Sequence, residues 1–190
     1  TTRENTTENT ALKNAVDSLE QVALENKRLE EEKKASNMWT TNFYVDEFGE
    51  PTTNGFIQNT TPIAGLMSNT ATQNSDINVT FLISSEKDVA FQIYEYAGRT
   101  PIKVYGNNVE RYNVVVKAGE EKFKMQGINY ADRISFDERN SKQLNKLFLT
   151  NEKLSFLVTE QKNRTSKYVF VIENTNDYVG TYKKFTNLAK

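Results

Sequence analysis

The residues of this sequence that could do chemistry are carboxylates and aromatics. Asp46, Glu47 and Glu50 bracket a Gly49–Pro51 turn, and Asp132, Asp137 and Glu138 flank a later run of β-branched and aromatic residues. Two carboxylates about 5 to 9.5 Å apart can hydrolyse a glycosidic bond, one as the acid and the other as base or nucleophile. Neither group has a spacing with motif status, and with 26% of the chain charged, solvated loops account for both. The segment DEFGEPT also lacks the alternating oxygen ligands of a calcium loop. The aromatics Trp39, Tyr94, Tyr96, Tyr105 and Tyr112 could form a flat platform for sugar rings or peptide side chains, although strand aromatics more often belong to a core. The candidate binding residues are therefore Trp39, Asp46, Glu47, Glu50, Tyr94 and Tyr96.

Absences prune further. The 190 residues include no His and no Cys. That removes Ser/His and Cys/His nucleophiles, imidazole and thiolate zinc sites, iron–sulfur clusters and internal disulfides. No GxGxxG or GxxxxGK[ST] element is present to cradle a phosphate. No catalytic residue, metal site or cofactor is expected. With 24 basic and 25 acidic side chains, no global field advertises nucleic acid, and no run of 18 apolar residues spans a bilayer. Matches to N-x-[ST] at Asn5, Asn59, Asn78 and Asn163 are what a chain rich in Asn and Thr yields by accident.

The elements that must position these residues follow from periodicity. Residues 1 to 10 are a polar leader. Leu12, Ala15, Leu19, Val22, Asn26 and Leu29 then recur at spacings of three and four, the seam of an amphipathic helix with coiled-coil character. Leu12, Leu19, Val22, Asn26 and Leu29 are candidates for self-association, Asn26 fixing register at an a position. Lys33 ends the seam, and composition shifts sharply near residue 36. The chain divides into a helical leader, 1–36, and a β domain, 37–190.

Within the β domain, Trp39 to Phe48 reads as a strand, and one or two more fall within 52–76. Ile77 to Ser84 and Val89 to Tyr96 alternate as an antiparallel hairpin, with Tyr94 and Tyr96 on the face opposite Phe91 and Ile93. Ile102–Tyr105, Glu110–Lys117, Lys122–Gln126, Tyr130–Phe136, Leu154–Glu160 and Lys167–Glu173 follow as strands. A short helix capped by Asn140 or Ser141 turns Leu144, Leu147 and Phe148 to one face. A last helix begins near Thr175–Asp177 and presents Tyr178, Tyr182 and Phe185. Many short strands with frequent turns predict a mainly β fold, an antiparallel β-sandwich with one or two short peripheral helices.

Trp39, Asp46–Thr52 (DEFGEPT) and Ser68–Asp76 (SNTATQNSD) together resemble a W…DEFG[DE]PT…SN[ST]AT…S pattern of uncharacterised secreted or lipid-anchored proteins of Bacteroidetes-type bacteria. The likeness covers residues 39 to about 185. It implies an extracytoplasmic (periplasmic or cell-surface) sandwich, exported with a lipid-bearing Cys that would have to precede Thr1, and it carries over no functional residue. The expectation is an extracytoplasmic, non-enzymatic binding or structural protein, tethered through its N-terminal segment, with an unknown protein or glycan ligand. The alternatives are a carbohydrate-binding module and a carboxylate-dependent hydrolase.

Overall fold

Ile77, Val79, Phe81 and Ile83 are buried while Asn78, Thr80 and Leu82 are half-buried, so period-two alternation sets one face of this strand inward. The same rule shapes most of the chain. The structure is a computed structural model describing residues 38–96, 98–106, 108–162 and 165–188. Along them run β1 (Trp39–Val45), β2 (Pro51–Asn59), β3 (Ile63–Ser68), β4 (Ser75–Ser85), β5 (Asp88–Glu95), β6 (Glu110–Ala118), β7 (Glu121–Asn129) and β8 (Ile134–Phe136). Helix α1 (Glu138–Thr150), β9 (Leu154–Glu160), β10 (Lys167–Ile172) and helix α2 (Asn176–Leu188) complete the order.

Every strand pairing is antiparallel, and eight strands close on themselves in the order β4-β3-β10-β9-β6-β7-β8-β5, with β5 returning to β4. The fold is a closed barrel, which corrects the expected sandwich. Both architectures are written with the same inward–outward alternation; they differ in whether the outermost strands find each other. Here β5 pairs with β4 on one side and, through Ala90↔Ser135 and Phe91↔Ile134, with β8 on the other. The β1–β2 hairpin lies outside the ring, attached where Ile57 and Gln58 face Ile83 and Leu82.

An eight-stranded barrel is just wide enough to be filled by its own side chains. Phe156 and Phe170 stack at 4.7 Å, and Phe81 and Phe91 pack with them, at 5.6 Å from Phe156 and 5.8 Å from Phe170 respectively. One end is plugged by the helices. Asp137 is the N-cap of α1, its carboxylate accepting from Asn140 N at 2.8 Å, so the helix starts earlier than Asn140 or Ser141. The helix buries Leu144, Leu147 and Phe148, while α2 buries Tyr178 and Phe185. Trp39 joins this plug in edge-on contact with Phe81, Phe148 and Tyr178.

The heptad seam over residues 11–33, with Leu12, Leu19, Val22, Asn26 and Leu29, lies outside the described residues. Among those described there are two helices of 13 residues each, and no coiled coil. No helix among them is long and apolar enough to cross a membrane.

Candidate binding site at the polar end of the barrel

The end opposite the helices has a different chemistry. Inward-facing rows that are apolar through the middle of the barrel turn polar as they reach it. Phe91 and Ile93 lead to Glu95, Phe156 and Val158 to Glu160, Met125 and Gly127 to Asn129, and Val116 and Val114 to Tyr112 and Glu110. Phe170 is followed outward by Tyr168. Register makes these residues neighbours around the ring: Glu110 faces Asn129, and Tyr112 faces Glu160.

Two phenols tie the ring together. Tyr168 donates its hydroxyl to Glu95 Oε1 at 2.7 Å, and Tyr112 donates to Glu110 Oε2 at 3.1 Å. Burial pushes both phenols far above their ordinary range, and the carboxylates beside them, Glu110 and Glu160 for Tyr112 and Glu95 for Tyr168, push in the same direction. Both therefore stay protonated and act as donors. Glu160 accepts from Thr165 Oγ1 at 2.9 Å. Among the described residues none of Glu95, Glu110 and Glu160 is in an ion pair, although Arg111 and Lys162 line one cleft with Glu110 and Glu160. That cleft, about 400 Å³, is bounded by Val109, Glu110, Arg111, Glu160, Gln161 and Lys162.

Asn129 is the odd member. Its side chain is 0% exposed, and among the described residues neither its amide nitrogen nor its carbonyl oxygen has a hydrogen-bond partner. It sits beside the Tyr112 hydroxyl without closing a bond of good geometry to it. A buried amide left unmatched costs about 1–3 kcal/mol, and such groups mark places where something other than core packing has set the residue type. Among the described residues no three acidic side chains lie close enough to hold a metal ion.

Of the residues expected to bind, all but Tyr96 stand elsewhere. Trp39 is 2% exposed in the core of the helical plug and offers no surface. Asp46 builds its own turn, its Oδ1 accepting from Phe48 N and Glu50 N at 2.9 Å each, which leaves Glu47 and Glu50 as exposed turn residues. Asp132 is held by Arg133 Nε at 2.9 Å and by Gln92 Nε2 at 3.0 Å; Tyr94 donates to Gln92 Oε1, extending that chain on the barrel's outer wall. Asp137 caps α1 and Glu138 pairs with Lys142 and Lys87, so the second carboxylate group is built into local structure. No hydrogen bond or ion pair joins the two groups among the described residues. Tyr96 and Tyr105 are exposed, in the chain that leaves β5 at the polar end.

Sequence reasoning passed over Glu95, Glu110, Glu160, Asn129 and Tyr168. A signal existed: each continues the inward parity of an apolar strand by one or two more steps, where a solvated strand end would need no such residue. What the strands alone could not show is that these ends meet, because that depends on barrel order. Asn59, one of the N-x-[ST] matches, is buried with its amide bonded to backbone, so it is not available for glycosylation. No protein-family model, no curated protein and no solved structure matches the chain.

Proposed function

We propose that this is a non-enzymatic, extracytoplasmic binding protein whose small, hydrogen-bonding ligand seats at the polar end of the barrel. The observation that carries this reading is Asn129, a fully buried amide with no hydrogen bond of good geometry among the described residues, placed in register with Glu110 and beside Tyr112. Binding sites of this kind combine an apolar body with a few convergent polar groups, which describes this end of the barrel. The extracytoplasmic placement, and tethering through the N-terminal segment, rest on the resemblance of the Trp39…DEFGEPT…SNTAT text to secreted and lipid-anchored proteins.

A saccharide is the second reading, favoured by Tyr96 and Tyr105, 58% and 78% exposed beside the same end. Aromatic faces of that kind can stack on a sugar ring. A thermal-shift screen of small amines, polyols and sugars, run on the full chain and on Asn129→Leu and Tyr168→Phe, tests the proposal. Hits that stabilise the parent and fail on both variants support it. Hits that persist unchanged in both variants, or no hit at all, overturn it.

A further inference from the structure

We infer that the free edge of β7 beside α1 is a docking groove for an acidic, extended segment of a partner protein, which adds to the barrel as a further strand. This surface lies toward the helical end and is independent of the polar end. β8 covers β7 only at Gly127, Ile128 and Asn129, so the stretch from Glu121 to Gln126 runs on past it. Gln161 N donates to Arg111 O on the β9 side, which turns the alternate residues Tyr112, Val114 and Val116 of β6 toward β7. Gly127, Met125 and Phe123 stand opposite those three, so Lys122 and Lys124, one step out of phase, aim both N–H and C=O away from β6. Among the described residues nothing hydrogen-bonds to these four groups.

Helix α1 forms the far wall. Two clefts of about 560 and 600 Å³ run between it and the β6–β7 hairpin, joined at Gln143, which lines both. Phe123 and Leu147 give the second an apolar floor. Lys124 and Arg139 line the first and Lys142 and Lys146 the second, against Asp137 and Glu121, and Asp137 is already engaged as the cap of α1. Of these cations only Lys142 is in an ion pair among the described residues. The excess of positive charge fits a carboxylate-bearing strand, whose alternation turns apolar side chains to Phe123 and Leu147 and acidic ones outward beside Lys122 and Lys124. A second copy is a poor occupant, because antiparallel pairing of two β7 edges sets lysine beside lysine. The edge of β1, by contrast, is guarded: Thr181 of α2 donates to Trp39 O, and the register breaks between Phe43 and Val45.

Titration of the full chain with two end-blocked peptides, four repeats of Val-Glu and four of Val-Lys, tests the inference by fluorescence anisotropy and amide hydrogen exchange. The Val-Glu peptide is expected to bind at least about tenfold more tightly than the Val-Lys peptide and more weakly as salt is raised. It is also expected to slow exchange at the Lys122 and Lys124 amides. Arg139→Glu combined with Lys146→Glu, both exposed on α1, is expected to weaken that binding by at least about tenfold with the melting temperature close to that of the parent. Lys124→Pro removes an edge donor that β6 does not use and is expected to weaken binding in the same way. Equal affinity for the two peptides, or an affinity that the charge reversal leaves unchanged, overturns the inference. Protection appearing at β1 instead of β7, full protection of Lys122 and Lys124 before any peptide is added, or dimerisation through this edge would each assign the groove another occupant and overturn it. No binding of the Val-Glu peptide overturns it as well.

Discussion

Between β2 and β3 the chain runs along one edge of β4 with a break in step. Ile57 faces Ile83 but Ile63 faces Val79, so six steps of chain oppose four of β4. A gap of that kind leaves β4 backbone groups without ladder partners. Asn59 supplies them: its Oδ1 accepts from Phe81 N at 2.6 Å, and its Nδ2 donates to Val79 O at 3.1 Å and Thr61 O at 2.9 Å. Asn59→Ala removes all three bonds and strands buried β4 groups, with an expected loss of about 3 kcal/mol. Asn59→Asp keeps the acceptor for Phe81 N and loses both donations, so its urea midpoint should also fall. Equal stability of Asn59→Ala and the parent would show that water mends the gap.

Alkaline stability is also decided at single residues. Tyr112, Tyr168 and Tyr178 all have folded-state pKa values raised by burial above the ordinary phenol value, with neighbouring Glu110 and Glu95 adding to the effect at the first two. Above pH about 10 the unfolded chain releases these protons while the folded chain keeps them, so the unfolded state binds fewer and unfolding becomes easier as pH rises. The stabilisation is therefore complete below about pH 10 and is lost progressively above it, by up to about 1.4 kcal/mol per pH unit for each phenol. Denaturant titrations from neutral to strongly alkaline pH should show that decline. Tyr178→Phe should make it shallower, and an unchanged slope would assign the decline to other groups.

At the scale of elements, local chemistry was legible where an element is specified by its own residues. The hairpin of β6 and β7 turns at Gly119 and Glu120 with Gly119 at φ +58, the position where a two-residue turn calls for glycine, and both strands are where alternation puts them. The runs Leu154–Glu160 and Lys167–Ile172 are strands, and Asn176–Leu188 is a helix. Errors arose where neighbours decide. Ile102–Tyr105 has a strand's composition, yet it makes isolated bonds, Ile102 N to Ile93 O and Val104 N to Ala131 O, because β5 and the β7–β8 turn flank it without offering a continuous edge. Tyr130–Phe136 shortens to Ile134–Phe136, since Asp132 and Arg133 are engaged with each other and with Gln92. For α1 the missed signal was Asp137, three residues before Asn140, whose N–H it accepts. Asp137→Ala is expected to cost about 1 kcal/mol in chemical denaturation, and Asp137→Asn or Ser to recover most of it. A deficit in all three variants would place the residue's importance outside capping.

At the scale of the whole molecule the question is what closes the barrel, because nothing in the alternation of any strand distinguishes a closed ring from two open layers. Closure falls on β5 and β8, and their direct ladder extends over two residue pairs, Ala90↔Ser135 and Phe91↔Ile134. The next pair along the seam would be Val89 with Phe136. Ser141 of α1 takes that place: its Oγ accepts from Val89 N and donates to Phe136 O, each at 3.3 Å, with the side chain fully buried. A serine hydroxyl has one donor and two acceptor sites, which suits it to bridge one strand's N–H to the other strand's C=O. The helix that plugs the barrel thereby also fastens its seam, and α1 has to dock before the seam can be complete. Ser141→Ala keeps the helix and its apolar face but leaves Val89 N and Phe136 O buried without their partner, at an expected cost of about 2 kcal/mol. That loss should be local as well as global. Amide hydrogen exchange should accelerate at Val89, Phe91 and Ile134 through partial opening of the seam, while β6 and β9, paired over six consecutive residues, exchange only with global unfolding. Uniform acceleration of every strand in Ser141→Ala would mean that the seam opens with the rest of the sheet, and that the two-pair ladder between β5 and β8 is sufficient to hold the ring shut on its own.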